Sequence, residues 1–200
     1  MKDTFAMRPT VRRATAADAG QVAELIATSF AGLKAPAYLV PDRRERHKIM
    51  IANFRILVDH AVEHGEIDLI DDGPAAAAVW FPGDAPPPDP EEYERRLAEA
   101  TGEWAERFRA LDALFAANHP AEPCHYLAFL AVHPNRQNQG LGTALLHHHH
   151  ARLDGLPVYL EANDPRNRDL YARHGYRPRP SFALPDGTLY WPMWRPATPA

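Results

Sequence analysis

Two hundred residues suffice for one compact domain with an insertion and are too few for two ordinary domains. At 46% hydrophobic and 24% charged residues the chain is an ordinary globular one, which excludes disorder, and a net charge of −4 excludes a nucleic-acid binder that works by bulk electrostatics. A lone cysteine, Cys124, excludes an intramolecular disulfide; no apolar run reaches the ~20 residues that span a bilayer, and Met1–Met7 has no signal-peptide core, so a cytoplasmic protein without membrane or nucleic-acid partners is expected.

Residues 10–14 read as a short strand, and Thr15-Ala16-Ala17-Asp18 as a capped helix start. Val22, Leu25, Ile26, Ser29 and Phe30 then recur at helical spacing. Residues 31–41 form a loop with two prolines and Tyr38. A second helix is predicted from about Asp42 to His64, with Met50, Phe54, Leu57, Val58 and Ala61 as its apolar stripe and Gly65 at its stop. The basic residues of its first turns, Arg43 to Lys48, read as a solvated face. Glu66–Asp71 alternates polar and apolar, Asp72-Gly73 is a turn pair, and Ala75–Phe81 is an apolar strand, which together predict a hairpin. After the prolines at 82–90, Tyr93, Leu97, Ala100, Trp104, Phe108, Leu111 and Phe115 recur at steps of three and four, as in one or two amphipathic helices whose aromatic stripe packs in the core.

Cys124–Val132 is almost continuously apolar, as a strand buried on both faces would be. A helix of about Gly140–Leu153 and a strand at Val158–Ala162 follow. Asp164-Pro165 opens another helix that stops at Gly175. Two closing strands, about Tyr176–Leu184 and Thr188–Trp194, flank the turn Pro185-Asp186-Gly187.

The turn Gln137-Asn138-Gln139-Gly140-Leu141-Gly142 joins a strand to a helix and carries glycines two apart. Glycine lets a ligand approach the backbone closely, and the first N–H groups of the helix, at the positive end of its dipole, suit a phosphate or pyrophosphate. On the glycines alone, a turn without a ligand is an equal alternative. A dinucleotide fingerprint would need a third glycine where Leu145 stands, and a P-loop would need Gly-Lys-Ser/Thr.

The stretch His133–Leu146 resembles the acetyl-CoA-binding motif of the GNAT superfamily of N-acetyltransferases, whose pattern Gln/Arg-x-x-Gly-x-Gly/Ala is matched by Gln137, Gly140 and Gly142. Leu160–Tyr176 resembles the second CoA motif of that family, with Asn167 in the helix, Tyr171 four residues later and a Gly175-Tyr176 stop. The resemblance extends weakly over most of the chain, and the helical insertion before the Cys124 strand resembles the puromycin N-acetyltransferase-like members. It implies a single α/β domain spanning residues 1–200, with a helical insertion at about 90–120. The expected sheet is mixed and mostly antiparallel, of six to seven strands flanked by helices, with a central parallel pair that splays.

The implied activity is acetyl transfer from acetyl-CoA, as co-substrate, to the primary amine of a small molecule by direct attack. A peptide or protein amine is the alternative acceptor, and a non-catalytic acyl-CoA binder the alternative class. Gln137, Asn138, Gln139, Gly140, Leu141, Gly142 and Thr143 would hold the pyrophosphate. The resemblance adds the backbone of Leu130, Ala131 and Val132, paired with the pantetheine arm like an extra strand, and the side chains of Asn163 and Asn167. It also makes Tyr171 the acid that protonates the departing thiolate. Glu161, late in a strand expected to splay, is the first candidate base, with His125, Tyr126 or a water chain as alternatives. The acceptor site is expected from Ala31–Pro41 and Arg179–Gly187. Consecutive residues on a helix point about 100° apart; His147–His150 therefore gives at most two ligands on one face, so no metal is expected there and a solvated surface is. A homodimer is compatible with the resemblance.

Overall fold

The computed structural model describes residues 9–70, 75–85, 87–153 and 155–197; the expected turn at Asp72-Gly73 lies outside them. In chain order the elements are β1 (Val11–Arg13), α1 (Ala19–Phe30), α2 (Lys34–Leu39), α3 (Arg43–His64), β2 (Glu66–Ile70), β3 (Ala76–Phe81), α4 (Pro90–Thr101) and α5 (Ala105–Asn118). There follow β4 (His125–Val132), α6 (Leu141–His150), β5 (Val158–Ala162), α7 (Pro165–Arg173), β6 (Arg177–Pro178), β7 (Phe182–Ala183) and β8 (Leu189–Arg195). The sheet runs β1-β2-β3-β4-β5-β8-β6, with β7 also on β8. Every pair is antiparallel except β4 with β5. Eight strands appear rather than six to seven because Tyr176–Leu184 is not continuous. Pro178 and Pro180 lack the N–H that a ladder needs, so the segment breaks into β6 and β7, each held by β8.

The two faces of the sheet carry two cores. Ile67, Leu69, Ala77 and Val79 pack beneath α1 and α3, while Ile70, Ala76, Ala78 and Trp80 pack beneath α6 and α7, as period-two alternation requires. α4 is tied to α3 by Arg96 on Asp59 at 2.6 Å. No helix among the described residues is long and apolar enough to cross a membrane.

Two local expectations are corrected. The loop at 31–41 contains α2, which tolerates Pro36 because that residue lies in the first turn, where no N–H is needed. Asp68 in β2 is only 1% exposed, because α6 covers that strand face. Arg152 donates to both of its oxygens at 3.2 Å, and His148 and His149 lie 3.7 and 3.8 Å away. Burial works to raise the Asp68 pKa, but His149 and the charge of Arg152 outweigh it and hold the carboxyl below its ordinary value.

His147–His150 is solvated only in part: His147 is exposed, His148 and His150 are half-buried and His149 is buried. α6 turns Leu141, Leu145, Leu146 and His149 inward, so His149 continues the apolar stripe and stacks on Trp80 with ring centroids 3.8 Å apart. His150 bonds the Tyr176 hydroxyl at 2.9 Å, and burial pushes its pKa down to about 3. No group of three or more metal-ligating side chains occurs among the described residues.

Gly65 stops α3 with an extended backbone (φ −132°) rather than a left-handed one. What it supplies is space: a Cβ there would sit 2.5 Å from the Trp80 carbonyl oxygen. Gly65→Ala should therefore cost about 1–3 kcal/mol, as overpacking does. A urea melt is the measurement, and a midpoint equal to wild type would refute the steric reading.

Candidate active site

The site begins with two strands that part. β4 and β5 pair at two positions only, His125 with Val158 and Tyr126 with Tyr159. Beyond these, β4 stays on β3 up to Val132 and β5 stays on β8 up to Ala162, so each is fixed on its outer side while the inner sides separate. The register with β3 slips at Val79/Trp80, leaving Ala128 with no residue opposite; such a bulge bends a strand.

The bond from His133 N–H to Ala75 O, 2.9 Å, sets the alternation of the β3–β4 ladder. It uses the backbone of Ala131 on Ala77 and turns the N–H and C=O of Leu130 and Val132 toward the gap. Val132 is already engaged there: Ser29 Oγ donates to its carbonyl at 3.1 Å and accepts from its N–H at 3.2 Å. Leu130 faces the same gap, and among the described residues no partner takes its N–H or C=O.

The gap widens into a cleft of about 910 Å³. Leu130, Val132, Gln137, Asn138, Gly140, Leu141, Gly142, Thr143, Asn167 and Tyr171 line it. Ala131 is fully buried in the ladder, Gln139 turns its side chain back onto Asn135 and Arg136, and Asn163 lines a different cavity. At the turn, Asn138 and Gly140 have φ of 61° and 79°, a left-handed pair that curls the backbone round a concavity. Among the described residues, no protein acceptor takes the N–H of Leu141, Gly142 or Thr143. A Cβ on Gly142 would meet nothing closer than Leu130 at 3.6 Å, so protein packing does not require this glycine. Arg136, Arg166 and Arg173 also line the cleft; sequence reasoning missed them because isolated arginines carry no spacing signal. The free amides, the dipole of α6 and these cations suit a polyphosphate, so the chain's own residues fit CoA.

A second cavity, of about 330 Å³, lies on the other side of Tyr171 and Asn167, which line both spaces. Its walls are apolar and aromatic, from Phe30, Phe54, Phe81, Phe108, Phe115, Phe129 and Tyr190 among others. Leu39, Ala35 and Pro36 of the expected 31–41 segment contribute, but Tyr38 does not, being occupied with the Arg107 guanidinium 5.2 Å from its ring. None of Arg179–Gly187 lines the cavity. Helices α4 and α5 supply Tyr93, Phe108, Leu111, Asp112 and Phe115 instead, so their aromatic stripe is cavity wall as well as core.

Glu161 lines this cavity. Its Oε2 accepts the Tyr126 hydroxyl at 2.8 Å, and its Oε1 is buried with no partner. Burial pushes the Glu161 pKa up to about 7, against the hydrogen bond from Tyr126. Of the alternative bases, His125 lies outside the cavity, against the His149 ring, and Tyr126 is raised well above its ordinary pKa by burial and by Glu161, so it donates. Burial also raises the Tyr171 pKa, so the phenol keeps its proton at neutral pH. Cys124 is buried, lines neither space, and has its thiol pushed up to about 11 by burial.

A model of an acetyltransferase (GNAT) domain matches residues 101–178. The chain is similar to the histone acetyltransferase HPA2 and related acetyltransferase of Corynebacterium glutamicum, at 30% identity over 97% of this chain and 99% of that one, with a TM-score of 0.73. Its fold is also similar to that of a mosquito arylalkylamine N-acetyltransferase-like protein (15% identity, 93% and 98% covered, TM-score 0.65). A third similar fold is that of an agmatine N-acetyltransferase (18% identity, 92% and 97% covered, TM-score 0.62).

Glu161 has a pH signature in stability. Its folded pKa of about 7 exceeds the ordinary 4.5, so the folded state binds the proton more tightly, and stability is lost as pH rises from 4.5 through 7. The loss is on the order of 3 kcal/mol at full ionisation. Glu161→Gln should therefore raise the melting temperature at pH 8 and leave it nearly unchanged at pH 4.5; an equal effect at both would show that this carboxyl is not strained by burial.

Proposed function

This chain belongs to the GNAT acetyltransferase family, and from that premise we propose that it moves the acetyl group of acetyl-CoA to the primary amine of a small molecule by direct attack. The observation that carries the reading is that Tyr171 and Asn167 line both the amide-rich cleft and the aromatic cavity holding Glu161. A donor in the first space and an amine in the second would meet at that wall.

Leu141, Gly142 and Thr143 offer their N–H groups to the pyrophosphate, with Gln137, Asn138, Gly140 and the three arginines around it. Leu130 offers the backbone that faces the gap: its C=O would accept from the pantetheine arm, and its N–H would polarise the thioester carbonyl. Donors preplaced where negative charge develops contribute about 3–4 kcal/mol each. Asn163 and Asn167, joined at 3.2 Å, form a polar edge between the two spaces.

Glu161, ionised, takes a proton from the incoming ammonium. The freed amine nitrogen forms the N–C bond as the C–S bond breaks, and Tyr171 gives its proton to the departing thiolate. The acylated nitrogen gives up its remaining extra proton to the Tyr171 phenolate, directly or through water, and Glu161 releases the proton it took to solvent, which restores both groups and leaves the neutral amide. Cys124, outside both spaces and held as a thiol, favours direct attack over an acyl-enzyme. The aromatic walls of the cavity, with the Glu161 carboxylate among them, favour a compact amine over a protein chain.

The test is calorimetric titration with acetyl-CoA, followed by a thiol-release assay over small amines and basic peptides. Binding, with release driven by small amines, is expected; no heat and no release would overturn the proposal, and release with peptides only would redirect it. Tyr171→Phe should lower kcat by about 100-fold or more; turnover within a few-fold of wild type removes Tyr171 as the acid. With wild type, kcat/KM should rise with pH through about 7 as Glu161 ionises, and Glu161→Gln should abolish that limb.

A further inference from the structure

The aromatic cavity holds a second carboxylate that the transfer step does not use. Asp112, on α5, accepts the Tyr93 hydroxyl at 2.8 Å through Oδ2. Among the described residues no cation pairs with it, and no lysine or arginine lines the cavity. Glu161 lines the same cavity and has its own buried, unpartnered oxygen. The walls between are aromatic faces, which attract cations and bury hydrocarbon.

We propose that the cavity selects acceptors carrying two cationic groups joined by an apolar spacer: the amine to be acetylated, beside Glu161, and a second ammonium or guanidinium held by Asp112. This rests on the small-amine reading above and narrows it to a substrate class. The physical reason is charge compensation. A carboxylate withdrawn from water without a cation is costly, and burial together with the nearby charge of Glu94 raises the Asp112 pKa; only the Tyr93 hydroxyl opposes this. A monoamine at Glu161 leaves Asp112 unmatched, whereas a dication answers both groups at once. Tyr93, fixed on α4, holds the carboxylate in place across the α4–α5 pair and so acts as a positioning residue.

The rival account is that Asp112 only ties α4 to α5 through Tyr93. Asp112→Asn separates the two, because the amide keeps an acceptor for the hydroxyl and loses the charge. Thiol release would be measured for a homologous series of α,ω-diamines and for monoamines of matched length, with wild type and Asp112→Asn, both checked for folding by thermal melt. A charge-assisted contact predicts that the best diamine exceeds its matched monoamine in kcat/KM by about tenfold or more. Asp112→Asn should erase that advantage through KM, with kcat and the monoamine values within about twofold of wild type. Equal kcat/KM for diamines and monoamines, or an equal loss on both in Asp112→Asn, overturns the proposal while the small-amine reading stands. Release with no small amine at all overturns both.

Discussion

Two adjacent strands, each hydrogen-bonded on its outer side and released from the other, are the constraint from which the site follows. β4 is held by β3 and β5 by β8, and only His125 and Tyr126 join them. Backbone polar groups on the inner edges must be satisfied some other way. Ser29 does so for Val132, while Leu130 is left to face the gap. The cleft, the turn at Gly140 and the cavity around Glu161 all open from this parting, and Tyr171 stands between them because α7 leaves the end of β5.

For the parting to persist, the rest of the sheet must not close on it. On the face covered by α6, Asp68 is clamped by Arg152 and faces His149, and His149 stacks on Trp80. These contacts fix β2, β3 and α6 to one another. On the opposite face, Phe30, Phe54 and Phe129 meet edge to face at 5.2–6.2 Å and wedge α1 and α3 against β4. The same rings then form cavity wall, so the packing that supports the sheet also gives the acceptor space its apolar character. Ionisable groups divide accordingly: Asp68 is matched with opposite charge, whereas among the described residues Asp112 and Glu161 accept hydrogen bonds from tyrosine hydroxyls and from no cation. That imbalance is what a cationic acceptor would relieve.

Much of the fold was legible in the sequence. Alternation located β2 and an apolar run β3, the stripe from Tyr93 to Phe115 located α4 and α5, and Asp164, Gly175 and Gly187 marked boundaries by capping and turn chemistry. The glycine turn was legible because a left-handed residue at 140 and free helix amides leave a local signature. His149 was not, since a histidine continuing an apolar stripe looks the same in sequence as one on the surface. Tyr176–Leu184 read as one strand because alternation persisted across prolines that break the ladder.

The sequence by itself determined most of the elements, their order and the glycine turn ahead of α6, because these depend on residues within a few positions of one another. Tertiary structure alone decided that Ser29 meets Val132, that Ala131 is used up by Ala77, and that Asp112 from the insertion shares a cavity with Glu161. Those partners lie far apart along the chain. Contacts of that kind arise from how helices seat on a twisted sheet, and no local spacing encodes which side chains then face one another.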